Sequence, residues 1–124
     1  MFELMINEQV YQFHFGMGFL REINKTVSAP VDGLQGVKKN MGLRYTAAGI
    51  IDGDPEALVE LLDIANKGQS PRVTRALLDS YIEDENTDVD KLFDTVMGFL
   101  KTANATKSTV LPIAEAVEKE KAKK

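Results

Sequence analysis

Chemistry in this chain would have to come from a single histidine, a glycine-rich turn or an acidic loop. His14 is the only histidine, it stands between Phe13 and Phe15, and the chain holds no cysteine. A zinc site of the Cys/His kind, or a thiol nucleophile, therefore has nothing to be built from, and a lone histidine flanked by aromatics reads as a strand surface or packing residue. Gly16-Met17-Gly18 follows a strand pattern and opens a helical one, as a phosphate-binding loop would. Arg21, however, occupies the position of the third glycine, which close packing of helix on strand requires. Glu83, Asp84, Glu85, Asp88 and Asp90 crowd one loop, and Asp84-x-Asn86-x-Asp88 matches the start of a calcium loop. Val89 then stands where the sharp-turn glycine is needed and Thr95 where the bidentate acid is needed. Capping and solvation account for these acids better than calcium does. Lys38-Lys39 with Arg44, and Arg72 with Arg75, lack the aromatic interleaving of a nucleic-acid site and read as solvated faces. No catalytic residue, metal ligand or cofactor site is assigned, and no enzyme is predicted. The alternative left open is a small enzyme or metal-binding regulatory protein built on the acidic loop.

The elements that would position such groups are bounded by size and charge. A chain of 124 residues suits one hydrophobic core, and 44% hydrophobic with 27% charged residues is the usage of a folding domain. The formal net charge of −4 gives little attraction for a phosphate backbone, so nucleic acid is not expected as a partner. No apolar run reaches the roughly 18 residues of a membrane span, and Phe2-Glu3-Leu4 carries no basic leader, so no membrane partner is expected and a cytoplasmic protein is the simplest reading.

Phe2, Leu4 and Ile6 alternate with polar or outward residues, and Tyr11, Phe13 and Phe15 do the same after a reversal at Asn7-Glu8. This period of two predicts an N-terminal β-hairpin with one buried face. Asn7 tolerates positive φ but no glycine follows it, so a two-residue turn and a slightly longer one both fit. Phe19, Leu20, Ile23 and Val27 predict a short helix over 17–26, stopped by Ser28-Ala29-Pro30. Leu34, Val37, Met41, Tyr45 and Ala48 then predict a second helix opening at Asp32-Gly33, kinked or broken by Gly36, Gly42 and Gly49.

Asp54-Pro55-Glu56 and Lys67-Gly68 mark the start and stop of a third helix, and Ser70-Pro71 reads as the cap and first residue of a fourth with Val73, Ala76, Leu77 and Tyr81 inward. Thr87-Asp88-Val89-Asp90 reads as a capping-box variant opening a fifth, with Val89, Leu92, Phe93, Val96, Met97, Leu100 and Ala103 on one face. In the last amphipathic segment Pro112 places the helix start no earlier than about Thr109. The fold class is thus α+β and predominantly helical, an N-terminal β-hairpin followed by about five to six packed helices, with residues 1–117 a single globular domain and 118–124 a frayed charged tail.

Val10-Tyr11-Gln12-Phe13, Gly16-Met17-Gly18-Phe19-Leu20-Arg21-Glu22-Ile23-Asn24-Lys25 and Asn66-Lys67-Gly68-Gln69-Ser70-Pro71-Arg72-Val73-Thr74 together resemble the tail assembly chaperones of long-tailed phages and prophages of Gram-positive bacteria. The resemblance continues through Asp79-Ser80-Tyr81-Ile82 and the Phe93 to Leu100 helix, and it rests on packing and capping signatures. It implies a chaperone that binds the tape measure protein and helps recruit tail tube protein, working in the host bacterial cytoplasm and not expected in the mature virion. Self-association is compatible with it. Met97, Leu100, Val110, Leu111 and Ile113 are the apolar residues from which a partner-binding surface is expected, Met97 and Leu100 being equally suited to the core. Pro112 departs from the pattern and shortens the last helix. The family commonly makes a longer form by minus-one ribosomal slippage, and Lys123-Lys124 is what an A-rich slippery codon pair would encode, so this chain is expected to be the short form.

Overall fold

A computed structural model of the chain describes residues 2–122. Strands β1 (Phe2–Ile6) and β2 (Gln9–Phe13) pair antiparallel with Phe2 opposite Phe13 and Ile6 opposite Gln9, which leaves Asn7 and Glu8 as a two-residue turn. Both take positive φ, 51° and 65°, as the right-handed twist of a tight hairpin demands. Phe2, Ile6, Tyr11, Phe13 and Phe15 are buried, while Met5 and Val10 face outward as a cross-strand pair. Two strands are marginal in water by themselves, and this pair is anchored through its aromatic face. The Phe2 ring lies 5.1 Å from that of Phe99, and the Phe15 ring meets Phe19 edge-on at 5.2 Å.

Helix α1 (Met17–Asn24) buries Phe19 and Ile23. The following segment departs from expectation. Instead of a helix opening at Asp32, β3 (Ser28–Pro30) and β4 (Lys38–Asn40) form a second short antiparallel hairpin. Leu34 and Val37 have helical spacing yet are exposed, at 57% and 45%, and Gly33 and Gly36 take φ near +80°, which a right-handed helix excludes. The helix α2 begins only at Gly42 and runs to Ile51. Its first turn is capped from outside, because Leu43 donates its N–H to the Asn24 side-chain oxygen at 3.0 Å.

Helix α3 (Pro55–Asn66) is capped as expected, Asp54 accepting from the Glu56 N–H at 3.0 Å, and it buries residues on almost every side, among them Leu58, Leu61, Leu62 and Ala65. It packs on β2, α1, α2 and α4. Helix α4 (Arg75–Glu83) starts later than predicted. The cap is Thr74, accepting from Leu77 N–H at 3.1 Å, and not Ser70, which precedes a cis proline. The buried face turns with the start, so that Leu78 is inside, Leu77 and Tyr81 are half-buried and Ala76 is exposed.

Helix α5 (Val89–Thr102) is capped by Asp88, accepting from Lys91 N–H at 3.0 Å, and buries Leu92, Val96 and Leu100. Phe93 is half-buried, and Phe99, which lies off the predicted stripe, reaches the hairpin aromatics. Helix α6 (Lys107–Ala122) corrects the expected start, for Pro112 lies inside it. Val110 donates to the Thr106 carbonyl at 3.0 Å, so the first turn is already closed before the proline. The carbonyl that Pro112 leaves without a helical donor belongs to Ser108, and both residues are exposed, so water can satisfy it. The charged run expected to fray after Val117 is helical as far as Ala122. The slippage expectation falls on Lys123 and Lys124, outside the described residues.

Gly42 is the tightest joint in this frame. It is buried, and a β-carbon there would overlap the Ile23 carbonyl oxygen and crowd the Thr26 hydroxyl, which itself donates to that carbonyl at 2.7 Å. Gly42→Ala must push α1 away from α2. It should lower unfolding stability by about 2–3 kcal/mol in urea titration, whereas Gly98→Ala, which meets open space on the exposed face of α5, should raise it by up to about 1 kcal/mol.

Candidate functional site

The residues singled out for chemistry do not converge. His14 is exposed, and its ring lies over Gly16 at the end of the hairpin. In the acidic loop Asp84 accepts from the Asn86 N–H at 2.9 Å and Asp88 caps α5, so two of its carboxylates are engaged with backbone. Among the described residues no three His, Asp or Glu side chains gather to hold a metal ion. Lys38 and Lys39 are exposed on β4. Arg72 and Arg75 are tied to α3. Arg72 pairs with Asp63 at 2.9 Å, and Arg75 bonds Glu60 and Asp63. The Glu60 hydrogen bond is the main reason the Arg75 guanidinium is pushed above its ordinary pKa, against a smaller opposing effect of burial. Burial alone raises the Tyr81 phenol.

The apolar residues proposed as a partner surface divide in two. Leu100 and Val110 are fully buried and belong to the core, so they present nothing to a partner. Leu111 is 38% exposed on α6, and Met97 and Ile113 are half-buried. Met97 lines a shallow groove of about 400 Å³ with Ile51, Phe93 and Val117, between α2, α5 and α6.

Two further grooves are open to solvent. One, of about 480 Å³, runs under the hairpin and is lined by Phe2, Phe15, Met17, Phe99 and Ala103. The other, of about 950 Å³, lies between α2, α3 and α4 and brings together Tyr45, Glu60, Arg75, Asp79 and Glu83. Sequence reasoning missed this second groove, because it placed Tyr45 on an inward stripe that the late start of α2 turns outward. The readable signal was Asp79 and Glu83, like charges four residues apart on one helix face. The arrangement offers open surfaces with apolar floors, one of them rimmed by acidic side chains.

A family model described as phage tail assembly chaperone protein matches residues 3–114, nearly the whole chain. The chain belongs to that family. No curated protein and no solved structure matches it significantly. Assembly chaperones as a class act by binding, on phage tail proteins while the tail is built, and among the described residues no helix is long and apolar enough to cross a membrane.

The stretch of this chaperone from Asn66 to Thr74 turns out to be its polar keystone. Asn66 is fully buried at the end of α3. Its amide donates to the Gln12 carbonyl at 2.9 Å and the Pro71 carbonyl at 3.3 Å, and its oxygen accepts from Val73 N–H at 2.6 Å and Arg72 at 2.9 Å. One side chain thus ties β2, α3 and the approach to α4 together. Asn66→Asp keeps size and acceptors but turns an anionic oxygen toward two carbonyls. It should cost about 2–4 kcal/mol in urea unfolding, with native secondary structure retained at low denaturant.

Proposed function

We propose that this chaperone binds the tape measure protein and helps recruit tail tube subunits around it, in the cytoplasm of a Gram-positive host, without entering the mature virion and without catalysing a reaction. Family membership over residues 3–114 is the observation that carries the reading. Open apolar-floored grooves in place of an enclosed cavity support it, since an elongated helical client needs a surface to lie on. Leu111, with the accessible parts of Met97 and Ile113, is proposed as one contact on the α6 side. Co-expression with the adjacent tape measure gene tests this. The tape measure protein should stay in the supernatant and co-purify with the chaperone. A tape measure protein that is equally soluble alone, or that precipitates despite the chaperone, would overturn the reading.

We also propose that the gene yields a minor extended product, formed by minus-one ribosomal slippage, that shares residues 1 to about 120. Intact-mass spectrometry of the product from its natural operon should show two species. A single species, together with no A-rich heptamer over the codons of the lysine-rich stretch, would sink this while leaving the chaperone assignment intact.

A further inference from the structure

The groove between α2, α3 and α4 is lined by side chains from all three helices. Tyr45, Thr46 and Gly49 come from α2, Ala57 and Val59 from α3, and Ile82 from α4, giving a floor of small and apolar side chains. Tyr45 stands 56% exposed at the edge, an aromatic of the kind that anchors interfaces. The rim is acidic. Asp54, Glu56, Glu60, Asp79 and Glu83 face a single guanidinium, Arg75, so the groove carries a formal charge of −4, which is the net charge of the whole chain. The rest of the molecule is electrically balanced.

Local structure does not explain all of this charge. Asp54 and Glu56 serve the N-terminus of α3, and Glu60 holds Arg75. Asp79 and Glu83 serve nothing visible. They are exposed, four residues apart on one face, and have no cationic partner within 4 Å among the described residues. Glu83 is the last residue of α4, where the helix dipole opposes a carboxylate, and the last turn holds no basic residue. The two like charges oppose each other and Glu83 opposes the helix dipole, so a cation brought to them would be favourably placed.

We propose that this groove docks a basic amphipathic helix of the client, with apolar side chains on the Ala57, Val59 and Ile82 floor and lysines or arginines over Asp79 and Glu83. The proposal rests on the tape measure reading and names the class of segment recognised. Helix α3 extends about 18 Å at 1.5 Å per residue, enough to seat about three turns of a partner helix. Charge at the rim, with a modest apolar floor, makes the association fast and salt-sensitive.

The test uses labelled peptides tiling the adjacent tape measure sequence, titrated with the full chain at about 50 and about 300 mM salt. Wild type should select peptides that are both cationic and helix-forming, with affinity falling at least about tenfold at the higher salt. Asp79→Lys/Glu83→Lys should weaken that binding at least about tenfold while leaving Tm equal or higher, because cations now stand at the negative end of α4. A merely structural role would lower Tm. If the reversal fails to fold, Asp79→Asn/Glu83→Gln carries the same comparison. Undiminished binding by these variants, or selection of acidic or neutral peptides, overturns the groove. If Leu111→Glu abolishes binding that the reversal keeps, the contact lies on the α6 side and the tape measure reading stands without this one. If wild type binds no peptide and does not keep the tape measure protein soluble, both fall.

Discussion

Four hydrogen bonds to one buried amide hold the architecture in register. A two-stranded hairpin, a central helix and a helix that starts after an irregular strap have no reason to meet at fixed angles through apolar contact alone, because hydrophobic burial is non-directional. Asn66 supplies direction. Its donors reach the backbone of β2 and of the strap, its oxygen receives Val73 and Arg72, and none of its polar atoms is left unpartnered. The His14 N–H adds a parallel link to the Ala65 carbonyl at 2.9 Å. Removing one member would strand the others in a low-dielectric interior, where an unmade hydrogen bond costs more than a made one contributes.

Everything on the α4 side depends on that node. Val73 is buried with its N–H bonded to Asn66, and Thr74, the next residue, then caps α4. The start of α4 fixes which residues line the groove, and the Arg72 and Arg75 pairs with Asp63 and Glu60 lock the helix against α3. Those pairs are partly exposed, so each contributes little by itself. Their use is orientation, since they engage Arg75, the one cationic side chain lining the groove among the described residues, and leave Asp79 and Glu83 facing solvent.

The legible parts of the sequence were those where a local device and the tertiary context agree. The first hairpin, the capped start at Asp54 and the apolar face of α5 could be read because alternation, capping and burial point the same way, whereas the capping box read at Thr87 gives way to a cap one residue later, at Asp88. The region 28–41 could not, because the spacing of Leu34, Val37 and Met41 imitates a helix while two glycines and a strand pairing decide otherwise. Ser70-Pro71 misled for a related reason. The cap-then-proline signature is local, whereas the strap is set by Asn66, and no periodicity reveals that a polar side chain at a helix end will be buried. The node was nonetheless present in the segment 66–74 that carries the family resemblance, though as a pattern without a mechanism. Of the five apolar residues proposed as a surface, two proved to be core, because amphipathic spacing shows that a face is apolar without showing what covers it.

A family signature that falls on packing residues also fits what a client-binding protein requires. An enzyme must keep the atoms that touch its substrate, so its signature is a constellation. A chaperone of the kind proposed, which holds an elongated client, needs a surface, which many sequences can build on one scaffold. The constraint then sits in the scaffold, at Asn66 and at the Gly42 joint, while the surface is specified by sign of charge and by shape. Release of such a client sets a second condition on the proposed groove. An interface dominated by deep apolar anchoring changes affinity through slow release, whereas one with an open floor and an exposed acidic rim releases readily once the cations find another partner. The grooves described here are open and their floors modest, with small residues such as Gly49 and Ala57 where larger anchors would fit. Such a surface favours holding a client over trapping it.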